Sequence, residues 1–168
     1  PSGDILALAS YPFFNPNDFH DPKQRIWQRN RAVTDPIEPG STFKLVTAAA
    51  ALEENVARVT DMFHCENGFV VRNGRRLRDH HGYGLLNFVQ VIEKSSNIGT
   101  AKIGERLTDN QLYAYIRRFG FVEKSLVNLP GEDDGLIRPP KKWSRLSHDS
   151  LAFGQEITVT PLQLLADY

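Results

Sequence analysis

The sequence predicts a mixed domain, of α+β or α/β class, on three observations. Several segments have the apolar spacing of short helices, strand-like runs lie between them, and Gly, Pro, Asn and Asp cluster at the joints. The chain of 168 residues, 40% hydrophobic and 24% charged, has the size and composition of a globular domain with one core. It contains no internal repeat and no low-complexity tract. From the local patterns we expect at least four helices, a hairpin and short strands.

The first half of the chain is predicted to hold a strand, a helix and a hairpin. Residues 3–10, GDILALAS, have the composition of a strand that begins at a glycine turn. Residues 41–54, rich in alanine and leucine behind Pro39 and Gly40, predict a helix. Asn73-Gly74 lies between two short strand-like runs, which predicts a type I′ hairpin.

The helices of the second half are predicted from their start and stop signals. Helical character in residues 87–94 is interrupted by SSNIG and resumes in TAKIGERL, and the next helix stops at Gly120. The start signals are Asn87 as an N-cap, Thr108 with Gln111 as a capping box, and Thr160 with Gln163 behind Pro161. These side chains satisfy backbone N–H groups that the start of a helix leaves unpaired, so we expect helices to begin there.

The composition argues against several classes of function. The 20 basic and 20 acidic side chains balance, so no global field favours nucleic acid as a partner. The single Cys65 cannot form an internal disulfide, and the five histidines lack the spacing of a zinc site. Stretches free of charge are too short to cross a membrane. We therefore expect no metal, no cofactor and no membrane span in this chain.

Two other groups of side chains have a structural interpretation. Trp27 and Trp143 are interpreted as packing residues. Four arginines of the predicted hairpin have no aromatic residues interleaved among them, so we interpret them as a solvated ribbon and not as an anion or nucleic-acid site. These arginines are Arg72, Arg75, Arg76 and Arg78.

Ser41 and Lys44 stand at i and i+3 at the start of the alanine-rich helix, so they share a face. About one Ser-x-x-Lys match is expected by chance in a chain of this length, and a capping serine with a solvent-facing lysine is the simpler interpretation. The neighbouring residues favour a catalytic role for the pair. The helix N-terminus offers N–H groups near the serine, and the alanines at 48–51 predict close packing around the lysine. Desolvation would lower the pKa of the lysine, and a neutral amine can take a hydroxyl proton.

A second polar cluster, Lys94-Ser95-Ser96-Asn97, interrupts the helical pattern. Residues at i and i+2 of a helix point to nearly opposite sides, so Ser95 and Asn97 converge on one site only if the turn is not helical. An ordinary polar linker between two helices is the alternative interpretation, and for this cluster alone it is the better one.

The two clusters with their flanks resemble the penicillin-binding proteins, in particular class B transpeptidases of the cell-division type. EPGSTFK and KSSN correspond to the first two motifs of that family. GDILALASYPFFNPNDF, RNRAVTD, LPGEDDGLIRP, WSRLS and FGQEITVTPLQL also resemble its members, in the expected order, so the resemblance covers essentially the whole chain. It implies an α+β fold like that of the penicillin-binding proteins and serine β-lactamases, here incomplete: the helical region with part of the sheet.

The resemblance implies catalytic roles for Ser41, Lys44, Ser95 and Asn97. Ser41 would attack the carbonyl of a D-Ala-D-Ala stem peptide, and Lys44 would be the base of acylation. Ser95 would relay a proton, and Asn97 would hold the substrate amide and help to orient Lys44. The backbone N–H of Ser41 would supply half of the oxyanion hole.

The third motif of the family is absent, because no Lys-Thr-Gly or Lys-Ser-Gly occurs in the sequence. In the family this motif lies on a downstream strand that supplies the other oxyanion donor. We therefore expect residues 1–168 to be a partial transpeptidase domain, truncated before Lys-Thr-Gly and within a helix at Tyr168.

The function implied is that of a serine-type peptidoglycan D,D-transpeptidase that cross-links cell-wall stem peptides. Its partners would be the D-Ala-D-Ala donor, an acceptor amine, β-lactams as covalent inhibitors and cell-division proteins. It would be held at the cell inner membrane by an anchor outside this chain, with the catalytic domain in the periplasm or otherwise outside the cytoplasmic membrane. The alternatives are a β-lactamase or D,D-carboxypeptidase, in which water resolves the acyl-enzyme, and a penicillin sensor or inactive homologue.

Overall fold

The computed structural model describes residues 4–166, and its helices and small antiparallel sheets confirm the α+β class. The helices are α1 (Arg31–Thr34), α2 (Lys44–Glu53), α3 (Phe88–Glu93), α4 (Asn97–Gly104), α5 (Asp109–Arg118), α6 (Ser147–Ala152) and α7 (Pro161–Ala166). The strands are β1 (Met62–His64), β2 (Phe69–Arg72), β3 (Arg75–Arg78), β4 (Leu85–Asn87), β5 (Leu136–Ile137) and β6 (Ile157–Thr158). Single 3₁₀ turns cover Pro16–Asp18, Arg25–Gln28, Gly40–Phe43, Glu66–Gly68 and Pro140–Lys142.

The strands of the described residues form three antiparallel pairs: β1 with β4, β2 with β3, and β5 with β6. The pair β2–β3 is the predicted hairpin. Asn73 and Gly74 have φ angles of 48° and 81°, as both central residues of a type I′ turn require. The hairpin prediction is therefore confirmed.

Helix α2 lies at the centre of the helical region, packed against α3, α4 and α5, and α4 in turn packs against α6. Its alanines permit this closeness: Ala50 and Ala51 are fully buried. Where α4 meets α6, a Cβ built on Gly104 would lie 2.8 Å from the methyl of Ala152. The close packing predicted from the run of alanines is thus confirmed.

The predicted helix starts are confirmed by reciprocal hydrogen bonds. In each case the first side chain accepts the N–H of the residue three positions on, and the Gln side chain there accepts the N–H of the cap. The three pairs are Asn87 with Gln90 at α3, Thr108 with Gln111 at α5, and Thr160 with Gln163 at α7. The predicted stop at Gly120 is also confirmed, because α5 ends two residues earlier and Gly120 has a φ of 88°.

The strand predicted for residues 3–10 is wrong over the described residues 4–10, which have no regular secondary structure. Their apolar side chains face outwards, and Leu6 is 96% exposed. A strand needs a partner for its backbone groups, and no segment of residues 4–166 pairs with this one. Gly3, at the start of the prediction, and Tyr168 lie outside the described residues.

The interpretation of the hairpin arginines as a solvated ribbon is wrong for two of the four. The guanidinium of Arg72 donates two hydrogen bonds to the Asp149 carboxylate, at 3.0 and 3.1 Å, and its side chain is only 17% exposed. Arg75 donates to Ser150 and Gln155. These contacts dock the hairpin against α6 and the residues that follow it. Arg76 and Arg78 are exposed, as expected.

The helices of residues 4–166 all fall short of the length and apolar character that crossing a bilayer requires. The same residues contain no cluster of three or more His, Cys, Asp or Glu side chains arranged to hold a metal ion.

Candidate active site

Ser41 lies in the 3₁₀ turn Gly40–Phe43 that leads into α2. Its side chain is exposed, and the hydroxyl has no hydrogen-bond partner within residues 4–166, so it does not act as a helix cap. Gly40 has a φ of 59°, a left-handed conformation that glycine adopts without strain. The sharp turn at Gly40 therefore presents the Ser41 hydroxyl to solvent at the positive end of α2.

The turn that carries Ser41 is held in place by Gly154, which follows α6. The N–H of Gly40 donates to the Gly154 carbonyl at 3.0 Å. A Cβ built on Gly154 would lie 2.2 Å from the Gly40 carbonyl oxygen and 2.7 Å from Phe43 Cβ. No side chain fits between these two backbones, so the position of Ser41 depends on a glycine at 154.

We expect Gly154→Ala to destabilise the protein by about 2–4 kcal/mol and to slow acylation at Ser41, because the new methyl must push the Gly40 backbone away. Gly74→Ala is the matched control, since Gly74 has nearly the same φ (81° against 80°) but no atom within 4 Å of its Cβ position. Urea unfolding of both variants measures the difference. Equal losses of stability would mean that backbone conformation, not the contact with Gly40, explains the effect.

Lys44 is the first residue of α2, and it is 1% exposed. Its ammonium group donates to the Ser95 carbonyl at 2.5 Å and to Ser95 Oγ at 2.9 Å. It forms no ion pair within the described residues. Burial lowers the pKa of Lys44 from the ordinary 10.5 to about 8, and the charge of Asp79 offsets part of that shift. The lowered pKa predicted from the sequence is confirmed in direction.

Ser95 and Ser96 of the SSN segment, residues 95–97, form a non-helical turn between two helices, as predicted. Helix α3 ends at Glu93, α4 begins at Asn97, and Ser95 between them has a φ of 56°. This turn directs Ser95 towards Lys44. Asn97 is the first residue of α4, and its amide donates to the Arg78 carbonyl at 2.9 Å.

The structure therefore joins Lys44 directly to Ser95 and places Ser41 on the turn just before Lys44. Within residues 4–166, no side-chain hydrogen bond connects Asn97 to Lys44 or Ser41 to Lys44, and the backbone N–H of Lys44 donates to the Ser41 carbonyl. The arrangement is a hydroxyl at a helix N-terminus, a buried amine with a lowered pKa, and a second hydroxyl 2.9 Å from that amine. Chemically, a partly neutral amine beside a hydroxyl can accept a proton from that hydroxyl or pass one to it.

Sequence reasoning missed Asp79 and assigned no role to Ser96, although Ser96 belongs to the second polar cluster. The Asp79 carboxylate accepts the Ser96 hydroxyl at 2.5 Å and the Ile98 N–H at 3.0 Å. Ser96 is fully buried and caps α4 by accepting the Gly99 N–H. The serine was detectable as an N-cap before NIGTAKIG, whereas Asp79 sits far away in the sequence and only the fold brings it to the turn.

Comparison with known proteins gives a family match over the whole chain. The family model described as penicillin binding protein transpeptidase domain matches residues 1–168. Stage V sporulation protein D of Bacillus subtilis is 38% identical over 168 residues, which cover 98% of this chain and 26% of that protein. Peptidoglycan D,D-transpeptidase FtsI of Escherichia coli K12 is 35% identical over 169 residues, with 99% and 28% covered. The chain thus spans about a quarter of the length of these relatives.

Solved structures show the same fold. A peptidoglycan glycosyltransferase from Burkholderia ambifaria matches with a TM-score of 0.85 and 31% identity, covering 96% of this chain and 47% of that one. The transpeptidase (TP) domain of Burkholderia pseudomallei penicillin-binding protein 3 matches with a TM-score of 0.79 and 33% identity, covering 82% and 42%. The fold predicted from the two sequence motifs is therefore confirmed.

Proposed function

This chain belongs to the penicillin-binding protein transpeptidase domain family, and from that membership we propose that the whole protein is a peptidoglycan D,D-transpeptidase of the cell-division type. The proposal assigns Ser41 as nucleophile, Lys44 as base, Ser95 as proton relay and Asn97 as a contact for the substrate amide. Two observations support these roles. This chain contains both Ser-x-x-Lys and SSN, and the hydrogen bond from Lys44 to Ser95 joins the two motifs at one site.

The observation that carries the proposal is the environment of Lys44. Lys44 is buried and no carboxylate of residues 4–166 is bound to it, so its protonated form is disfavoured and its pKa is about 8. About one such side chain in ten is then neutral at pH 7, against fewer than about one in a thousand for an ordinary lysine. A base that is partly neutral at working pH suits proton removal from a serine.

In the proposed reaction, Ser41 Oγ attacks the carbonyl carbon between the two D-Ala residues of a donor stem peptide. Lys44 takes the hydroxyl proton, and the carbonyl oxygen becomes an oxyanion next to the backbone N–H of Ser41. The C–N bond breaks as the leaving D-Ala receives a proton through Ser95, which leaves an ester on Ser41. An acceptor amine then attacks this ester, loses a proton to the same relay and releases Ser41.

We further propose that the second oxyanion donor comes from a Lys-Thr-Gly strand in another segment of the protein, since this chain spans about a quarter of its relatives' length.

An open apolar groove of about 750 Å³ runs along α2 and α3, lined by Leu45, Leu52, Val89 and Ile92 among others. The donor and acceptor stem peptides, β-lactams and cell-division proteins are the proposed partners. We propose that the catalytic domain works outside the cytoplasmic membrane.

Intact-protein mass spectrometry with benzylpenicillin tests the proposal. We expect the whole protein to form one stable adduct, and residues 1–168 alone to form none, because loss of one oxyanion donor costs about 10² to 10³ in rate and substrate positioning is lost as well. An adduct that is rapidly hydrolysed would instead indicate a β-lactamase or carboxypeptidase. A stable adduct without D-Ala release from a donor peptide would indicate a sensor, and rapid stoichiometric acylation of residues 1–168 would refute the need for the third motif.

A further inference from the structure

One carboxylate outside the proposed catalytic set, that of Asp79, holds the start of α4. Asp79 follows β3 and is half-buried. Its two oxygens bind different groups: one accepts the Ser96 hydroxyl at 2.5 Å, and the other accepts the Ile98 N–H at 3.0 Å. The neighbouring Arg78 carbonyl accepts the Asn97 amide at 2.9 Å. Three consecutive residues at the start of α4, Ser96, Asn97 and Ile98, are therefore anchored to the end of β3.

These anchors matter because the SSN turn is conformationally unfavourable by itself. Ser95 has a φ of 56°, which costs a non-glycine residue energy and persists only when the surroundings enforce it. Within the turn, the N–H of Ser95 donates to Ile92 and the N–H of Ser96 to Val91, both in α3. The far side of the turn is held by Asp79. A shift of this side would move Ser95 away from Lys44.

Asp79 also acts on Lys44 through its charge. Its carboxylate favours the protonated lysine and so opposes the effect of burial on the pKa of Lys44. The third titratable group of this region is the fully buried thiol of Cys65, whose pKa is raised by burial and, to a smaller extent, by Asp79. The Lys102 ammonium of α4 is already paired with Glu66. Asp79 is therefore the acidic group in the described residues whose charge acts on Lys44.

We propose that Asp79 is a positioning residue for acylation: its carboxylate holds the SSN turn so that Ser95 meets Lys44. This inference rests on the proposed function of Ser41 and Lys44. The charge of Asp79 adds an electrostatic effect to this geometric one, and each effect predicts a different measurable change.

Asp79→Asn in the whole protein separates these effects from a simple loss of stability. The amide keeps an oxygen for the Ile98 N–H but carries no charge. We expect the midpoint of the rising limb of acylation rate against pH to move to lower pH, because the group that favours protonated Lys44 is gone. We expect the plateau rate to fall about ten- to a hundredfold, because Ser95 is less firmly placed. A purely structural role would reduce the folded fraction without moving the midpoint.

Two further variants complete the test. Asp79→Glu keeps the charge in a longer side chain, so its midpoint should stay near that of the wild type while its plateau rate falls. Asp61→Asn is the matched control, because the Asp61 carboxylate also accepts a backbone N–H, that of Arg58, and also pairs with a side chain, that of Arg106. Its pH profile should equal that of the wild type.

The outcomes distinguish this inference from the function on which it rests. A wild-type protein that forms no penicillin adduct on Ser41 refutes the proposed function, and the inference with it. A wild type that is acylated while Asp79→Asn keeps both its midpoint and its plateau rate refutes the inference alone. If circular dichroism shows that Asp79→Asn does not fold, the Asp79→Glu variant tests the geometric role. An Asp79→Glu protein with the plateau rate and the midpoint of the wild type would refute that role.

Discussion

Replacement of Ser41 by alanine is expected to abolish covalent labelling of the whole protein by a fluorescent penicillin. The hydroxyl is exposed on a turn at the start of α2 and has no hydrogen bond within residues 4–166, so its loss should leave the fold intact. The acylation rate should fall by at least about 10⁴, since removal of the nucleophile of a well-studied serine hydrolase costs about 10⁶. Gel fluorescence and intact mass measure the effect.

Ser10→Ala is a suitable control for this experiment, because Ser10 lies in an irregular segment outside the proposed catalytic set and its removal should leave labelling unchanged. Thermal unfolding of both variants should agree with the wild type within about 1 kcal/mol, because Ser41 is exposed and Ser10, although half-buried, loses only a hydroxyl. Labelling of Ser41→Ala at the wild-type level would remove Ser41 from its proposed role.

Replacement of Lys44 by arginine is expected to have the second-largest effect. The guanidinium can still donate hydrogen bonds to Ser95, but it stays protonated at any working pH and cannot serve as a base. Acylation should therefore fall by about 10² to 10⁴, the usual contribution of a general base. Lys102→Arg, a lysine of α4 paired with Glu66, is the matched control and should acylate normally.

The pH dependence of the wild type gives an independent measurement of the same assignment. Lys44 must lose its proton to act, so the acylation rate should rise with pH and level off above the pKa of about 8. If the acylation rate instead rose with a midpoint near pH 10.5, the ordinary pKa of lysine, the amine of Lys44 would not be buried in the working enzyme. Normal acylation by Lys44→Arg would contradict the role of Lys44 as base.

Much of the local structure was predictable because its causes lie within a few residues. A capping box needs only a cap and the residue three positions on, as at Thr108 and Gln111, and both hydrogen bonds form. The turn at Asn73-Gly74 follows from the tolerance of these residues for positive φ. The non-helical turn at Ser95 was predicted from the break in helical pattern, and it is confirmed.

The errors of prediction concern segments whose state depends on distant partners. Residues 4–10 have the composition of a strand, but composition does not supply the neighbouring strand that their backbone groups require. The arginines of the hairpin were expected in solvent, yet Arg72 binds Asp149 of α6. The sequence shows which side chains are charged, but the folded structure determines which acidic side chain lies next to each arginine.

The sequence by itself determined the family and the fold class, and it predicted Ser41 and Lys44 as site residues, because motif spacing and helical periodicity are properties of neighbouring residues. Only the tertiary structure decided how far the pKa of Lys44 falls and which charge opposes the fall. Its low pKa comes from burial beneath the SSN turn, and the opposing charge comes from Asp79, which lies after a different strand. Desolvation and Coulomb interactions depend on distance in space and on exclusion of water, and neither is defined until distant segments of the chain have packed together.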